Sequence, residues 1–293
     1  MLDPIGGYEK IRDLLISQIE TTQRISNPSL QALRKSLLAD TNTLTNSPIL
    51  EPVPRYQTSN YKLEDLLALE EENPLHDFSE AERSIFINLV LSGLFDGAPD
   101  NSNLTLSRKS LYKPYLHQMQ MLAKGVKSGQ PGVVTSGTGS GKTESFLLPM
   151  LNDLVSNPRK SDEKGVRAII LYPMNALVAD QNKRLFSYLK GQSNVSMFFY
   201  NSETPESKKY ATDEFDDKCF IKTRKEARDN PPDIMITNYS MLEYILARPN
   251  DFPLIGSALR TIVVDEAHLY TGTLAAEVSL LLRRVTTKAK VDN

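Results

Sequence analysis

The chain has 293 residues, 40% of them hydrophobic and 24% charged, with no Trp and a formal net charge of −2. That composition supports a full core and excludes a disordered or fibrous class. The single cysteine, Cys219, excludes an internal disulfide, and His76, His117 and His268 are too scattered for a zinc spacing.

No apolar run approaches the ~18 residues of a membrane span. Met1-Leu2-Asp3-Pro4 lacks the basic and apolar regions of a signal peptide. The expectation is a cytoplasmic protein with no membrane contact. The small net charge conceals a division: residues 1–107 carry 8 Lys+Arg against 16 Asp+Glu, and residues 108–293 carry 26 against 20. An acidic first part joined to a basic remainder suits a polyanion-binding second domain. It suits ordinary solvated surface on both parts equally well.

In chain order, residues 1–107 read as a helical accessory region. Ile11, Leu14, Leu15 and Ile19 share one helical face. After Asn27-Pro28, a cap followed by a first-turn proline, Leu30, Leu33 and Leu37 repeat the pattern. Residues 39–60 are rich in Thr, Asn, Ser and Pro and read as a loop. A further helix begins at Ser79, with Glu82 completing a capping box, and is expected to bury Ile85, Phe86, Leu89 and Val90. The polar stretch Asp96–Ser107 is the expected domain boundary.

From residue 108, strands alternate with helices. Strands are expected at Gly132–Thr135, Arg167–Tyr172, Val195–Tyr200, Ile234–Thr237 and Arg260–Val264. Helices are expected at Thr143–Leu154, Ala176–Leu189, Tyr239–Ala247 and Leu274–Val285. Continuous apolar strands separated by helices predict an α/β domain, a parallel sheet covered on both faces, with ligands at the carboxyl ends of its strands. The charged segment Ser202–Pro232 lacks periodicity and reads as a solvated insertion, with a short hairpin around Phe220-Ile221.

Two stretches carry chemistry. In Ser136-Gly137-Thr138-Gly139-Ser140-Gly141-Lys142-Thr143-Glu144, three glycines let successive N–H groups point into one concavity at a helix N-terminus. Such a nest holds phosphates; Lys142 would add a mobile charge for the outer phosphates, and the Thr143 hydroxyl would ligate Mg²⁺. Ser136 replaces the usual glycine of G-x-x-x-x-G-K-[ST], a small residue in a place that requires smallness. The second stretch is Asp265-Glu266-Ala267-His268, at the end of an apolar strand. Alternation sends its two carboxylates in different directions. Asp265 could hold Mg²⁺ through its water shell, and Glu266 could orient and deprotonate the water attacking a γ-phosphate. An acidic strand end facing solvent has the same wording; the phosphate loop upstream is what favours hydrolysis.

Together these stretches resemble the first motor lobe of superfamily 2 DEAD/DEAH-box helicases, over roughly two-thirds of the chain, with wording nearest the Lhr-like and RecQ4-like DNA helicases. Tyr115-Leu116-His117-Gln118 resembles the Q motif, Tyr172-Pro173-Met174-Asn175-Ala176-Leu177 motif Ia, and Ile236-Thr237-Asn238-Tyr239 motif Ic; Tyr200–Pro205, with Thr204, stands at motif Ib. The resemblance implies a RecA-like P-loop domain after a mostly helical N-terminal region, with ATP and Mg²⁺ bound.

By the same resemblance Gln118 would read the adenine edge, although a partly exposed helical Gln is the plain alternative. The stacking aromatic has no evident counterpart upstream; Tyr112 and Tyr115 are nearer candidates. Pro173, Asn175, Thr204, Thr237 and Asn238 would meet strand phosphates, a role compatible with simple helix capping. His268 would link the ATP site to the strand site, or serve only as a structural histidine. Lys208, Lys209, Lys222, Arg224, Lys225 and Arg228 alternate with acidic residues and read as solvated surface.

Family members follow this stretch with Ser-Ala-Thr and then a second RecA-like lobe supplying an arginine finger, worth ~10³–10⁵ in rate. The chain stops at Asn293 before both. The resemblance therefore implies an ATPase lobe of a helicase acting on nucleic acid, DNA rather than RNA, weak without a second lobe in cis or trans. Partners of a DNA-repair or anti-phage defence complex are expected. A nucleotide-gated scaffold and a double-strand translocase are the alternatives.

Overall fold

The computed structural model describes residues 3–40, 42–46, 49, 55–71, 73–100, 105–126, 131–137, 139–173, 183–190, 195–207 and 217–291. Two compact units emerge, Met1–Arg55 and Tyr56–Asn293.

The first unit is a pair of helices, α1 (Pro4–Thr22) and α2 (Pro28–Ala39). Each starts where a side chain caps it. Asp3 accepts the Gly6 N–H at 3.0 Å, and Asn27 accepts those of Ser29 and Leu30 at 2.9 and 3.3 Å. The apolar stripes form on one face of each helix but are exposed: Ile11, Leu14, Leu15, Leu30, Leu33 and Leu37 face outward, and Ile16 is buried. Two helices below the ~70–80 residues that supply a single core cannot cover that much apolar surface.

The second unit is built on a five-stranded parallel sheet in the order β5-β4-β6-β3-β7. Its strands are β3 (Ala168–Tyr172), β4 (Met197–Tyr200), β5 (Phe220–Ile221), β6 (Ile234–Asn238) and β7 (Thr261–Val264). Alternation along the strands divides the core in two. Ala168, Ile170, Tyr172, Ile234 and Ile236 pack with α4 (Leu116–Gly125) and α5 (Lys142–Ser156). Ile169, Leu171, Met235, Phe198 and Tyr200 pack on the other face. That face is covered by α7 (Arg224–Asp229), α8 (Tyr239–Ala247) and α9 (Gly272–Val291). Residues 183–189, here α6, are the described part of the helix expected over Ala176–Leu189, and they add Leu185 and Leu189 to the α5 face.

Residues 56–107 belong to this unit, so the boundary expected at residue 107 falls inside it. The capping box forms as expected: Glu82 Oε2 accepts the Ser79 N–H at 2.9 Å and starts α3 (Glu80–Leu89). Phe86, Leu89 and Val90 are buried beside Leu147 and Leu151, whereas Ile85 is exposed. The stretch Asp96–Ser107 joins a small antiparallel pair, β1 (Gly97–Pro99) and β2 (Arg108–Ser110).

Two strand expectations fail. Among the described residues Phe220-Ile221 forms no hairpin; as β5 it pairs in parallel with β4, because Met197 and Phe198 offer it an open ladder. Gly132–Thr135 forms no strand. An apolar run becomes a strand only where a neighbour accepts its hydrogen bonds; no described strand pairs with this one, and Val133 is 84% exposed.

Cys219 is buried, and burial pushes its thiol up to about 12, with the Asp217 carboxylate acting in the same direction. At pH 8 a thiol reagent should therefore label the folded protein at least ~100-fold more slowly than the urea-unfolded chain. Comparable rates would contradict the placement of Cys219. Among the described residues, no helix is long and apolar enough to cross a membrane.

Candidate nucleotide site and strand face

The loop ahead of α5 takes the shape its glycines allow. Gly139 and Gly141 have φ of 72° and 76°, the left-handed region that side chains resist. Gly141 is the N-cap of α5, so Lys142 and Thr143 are its first two residues and the helix dipole points into the loop. Ser136 Oγ and Ser140 Oγ lie 2.6 Å apart and close its base. A Cβ on Gly139 would meet nothing within 4 Å, so the concavity is open. Thr138 lies outside the described residues.

The carboxylate pair arrives from β7. Leu171 pairs with Val264, and the Asp265 N–H continues the ladder to the Leu171 carbonyl at 3.0 Å. Asp265 thus shares the α5 face of the sheet with Tyr172 and Val263. Burial pushes the Asp265 carboxyl up. The Glu266 N–H (2.8 Å) and the Lys142 charge pull it down, while the Glu266 charge pushes it up. Lys142 and Asp265 are therefore close enough to act on one another, although the loop and β7 are far apart in sequence.

Glu266 adopts φ 47° and ψ 41°, a left-handed conformation costing on the order of 1–3 kcal/mol in a residue with a side chain. His268 Nδ1 lies 3.2 Å from Glu266 Oε2, on a side chain 72% exposed.

Gln118 is buried in the wall of the loop. Its carbonyl accepts the Tyr115 N–H at 2.8 Å, and its Nε2 donates to the Gly141 carbonyl at 3.2 Å. His117 Nε2 donates to the Ser140 carbonyl at 3.0 Å. The N-terminal half of α4 is thus tied to the phosphate loop. A cleft of about 520 Å³ opens beside these residues, lined by Phe95, Tyr112, Lys113, Tyr115 and the loop from Gly139 to Glu144.

Tyr56 is the residue sequence reasoning missed. Residues 57–59 run antiparallel to 114–116, with Leu116 N–H to Gln57 O at 2.7 Å and Ser59 N–H to Pro114 O at 2.8 Å. This strap places the Tyr56 ring against Tyr115 and His117, at 5.7 and 5.6 Å, and its hydroxyl accepts the Gly137 N–H at 2.8 Å. A Cβ on Gly137 would lie 2.7 Å from that hydroxyl, so a side chain there would push the Tyr56 ring aside. No local pattern marks Tyr56.

The residues expected to meet a strand gather at the carboxyl ends of the neighbouring strands β4, β6 and β3, where Tyr200 pairs with Thr237 and Tyr172 with Asn238. Pro173 follows β3 directly; Asn175 lies outside the described residues. The described side chains are engaged within the protein. Thr237 Oγ1 donates to the Tyr200 carbonyl (2.8 Å), Asn238 Oδ1 accepts the Met241 N–H (2.8 Å) and Thr204 Oγ1 accepts the Asn201 N–H (2.9 Å). The first residues of α8, Tyr239 to Met241, are half-buried at this edge. Of the basic group, Lys208 and Lys209 lie outside the described residues. Arg228 is held by Glu206 and Asp251, and Arg224 lies over the Tyr200 ring at 4.9 Å.

A family model, DEAD/DEAH box helicase, matches residues 115–292. The chain belongs to that family. Among curated relatives, Druantia protein DruE of Escherichia coli (strain UMEA 4076-1) is 27% identical over 96% of this chain and 19% of its own length. The uncharacterized ATP-dependent helicase YprA of Bacillus subtilis is 29% identical over 61% of this chain and 21% of its own length. The chain thus spans about a fifth of the length of these relatives. A crystal structure of the DUF1998 helicase MrfA bound to DNA and AMPPNP aligns with a TM-score of 0.45 and 24% identity, over 61% of this chain and 23% of that one.

Membership in the DEAD/DEAH box helicase family, with ATP-dependent helicases among the relatives, implies ATP and Mg²⁺. The residues present fit both groups. The space over Gly139 is open, the Thr143 hydroxyl lines the cleft, the Lys142 charge reaches the Asp265 carboxylate, and the cleft volume lies in the range of nucleotide-sized sites.

Proposed function

We propose that this chain is the ATP-binding lobe of a nucleic-acid-dependent motor that couples ATP hydrolysis to translocation along DNA or to strand separation. The observation that carries the reading is a loop with Gly139 and Gly141 at positive φ opening α5, whose Lys142 charge reaches the Asp265 carboxyl at the end of β7. Backbone N–H groups from Gly139 to Thr143, with the Lys142 ammonium, bind the phosphates; the aromatic side of the cleft, with Tyr112 and Gln118, takes the base. Thr143 and Asp265 hold Mg²⁺, which when bound neutralises charge on the outer phosphates. Glu266 orients the attacking water and takes its proton, and His268 holds Glu266 from the far side.

The strand lies across the carboxyl ends of β4, β6 and β3. Pro173, Thr204, Thr237 and Asn238 shape that surface, Asn175 is assigned to it from the sequence alone, and the α8 N-terminus offers N–H groups to phosphates, which positions a strand without reading its bases. Turnover by this lobe is slow until a second RecA-like lobe, in cis or in trans, supplies charge to the transition state.

The test is ATP hydrolysis by the chain alone and with single-stranded DNA, duplex DNA or RNA, in wild type and Lys142→Ala. Stimulation strongest with single-stranded DNA and abolished by Lys142→Ala is the expected result. Hydrolysis or nucleotide binding indifferent to every nucleic acid would point instead to a nucleotide-gated scaffold.

A further inference from the structure

The third residue of the phosphate-binding helix is an acid. Glu144 sits one position beyond the proposed metal-holding Thr143, its side chain only 11% exposed, and lines the same cleft as the loop. A Cβ on Gly141 would lie 3.1 Å from Glu144 Oε2, so the carboxylate leans over the loop. Oε2 is buried with no hydrogen-bond partner. Oε1 accepts from Arg184 Nη2 at 2.5 Å. Arg184 belongs to α6, is 42% exposed, and reaches back into the cleft. Its guanidinium is fixed by a hydrogen bond from Nε to the Tyr188 hydroxyl and by that ring, 5.6 Å from the guanidinium carbon.

A carboxylate in the first turn of a helix is favoured while the loop is empty, because the dipole attracts it. Once a polyanion fills the nest, the same charge repels the ligand, and because the Glu144 carboxylate is itself largely buried, water screens that repulsion little. A counter-charge must therefore accompany it, and among the described residues Arg184 is the cation paired with Glu144. We propose that Arg184 is a positioning residue of the nucleotide site, holding the Glu144 carboxylate over Gly141 and cancelling its charge so that the phosphates can bind. This rests on the nucleotide reading of the loop. Arg184 touches no phosphate in this account; it acts through Glu144.

The experiment measures the affinity of a fluorescent ATP analogue, kcat, KM and Tm for wild type, Arg184→Ala, Arg184→Lys, Glu144→Gln and the Arg184→Ala/Glu144→Gln double variant. Arg184→Ala should weaken binding by on the order of 10–100-fold, mostly in KM rather than in kcat. Arg184→Lys, which keeps the charge without the fork, should lose less. Glu144→Gln should bind more tightly than wild type, and the double variant should return to within about threefold of it. A double variant as weak as Arg184→Ala, or an Arg184→Ala variant that binds as wild type does, would overturn the proposal. An affinity loss that follows Tm across all the variants would also overturn it, by making the pair structural. Failure of the underlying nucleotide reading looks different: the analogue would then bind neither wild type nor Lys142→Ala.

Discussion

Glu266→Gln should leave ATP bound and largely unhydrolysed. As the proposed general base, Glu266 contributes a proton acceptor on a left-handed backbone, beside His268 Nδ1 at 3.2 Å. Glutamine has nearly the same shape and can occupy the same turn, so the strain and the loop geometry remain. It can no longer accept the proton, a loss worth ~10²–10⁴ in rate. Single-turnover hydrolysis of labelled ATP reads slow rates directly, and fluorescent-nucleotide binding checks that the site is intact. Binding within about threefold of wild type together with the expected loss of hydrolysis supports the role. Hydrolysis within about threefold of wild type would remove Glu266 from the chemistry. Lys142→Ala should fail earlier, at binding, because it removes the mobile cation of the nest itself.

Arg167→Met should be the most destabilising single change outside the site. Arg167 is buried at the amino end of the sheet, where its Nη1 meets Asp233 Oδ1 at 3.1 Å and its Nη2 donates to the Leu154 carbonyl at 2.8 Å and to that of Asn157. Asp233 in turn accepts the Ser196 N–H and hydroxyl, both at 2.8 Å. One guanidinium thus ties the start of β3 to the starts of β4 and β6 and to the end of α5. Methionine fills much of the volume but removes the donor to Asp233 Oδ1 and to two carbonyls. Breaking a buried pair in this way costs ~3–5 kcal/mol, a large share of the ~5–15 kcal/mol that holds a typical domain together. Urea unfolding followed by circular dichroism should show that loss in the midpoint. A change below ~1 kcal/mol would mean that water or Arg159, whose Nη2 lies 3.7 Å from Asp233 Oδ1, replaces the clamp.

Much of the site could be read before any coordinates, because its signals are local. Glycines that permit positive φ, a lysine and threonine opening a helix, and two acids ending an apolar strand all act within a few residues of one another. The continuous apolar runs in Ala168–Tyr172 and Ile234–Asn238 likewise announced a sheet buried on both faces. The same local rules failed where a partner was missing or distant. Gly132–Thr135 has strand composition and no ladder to join, and the stripes of α1 and α2 have helical period and too little to pack against.

From its sequence alone, then, this protein is legible as a parallel α/β domain with a phosphate loop and a carboxylate pair. Only the tertiary structure decides that Tyr56 closes onto Gly137, that Arg184 neutralises Glu144, and that Thr237 and Asn238 spend their side chains inside the fold. The reason is physical. Backbone conformation and side-chain period depend on near neighbours and leave a repeating trace in the chain. A hydrogen bond or ion pair between residues forty or eighty positions apart depends on where the sheet and helices carry them, and leaves none.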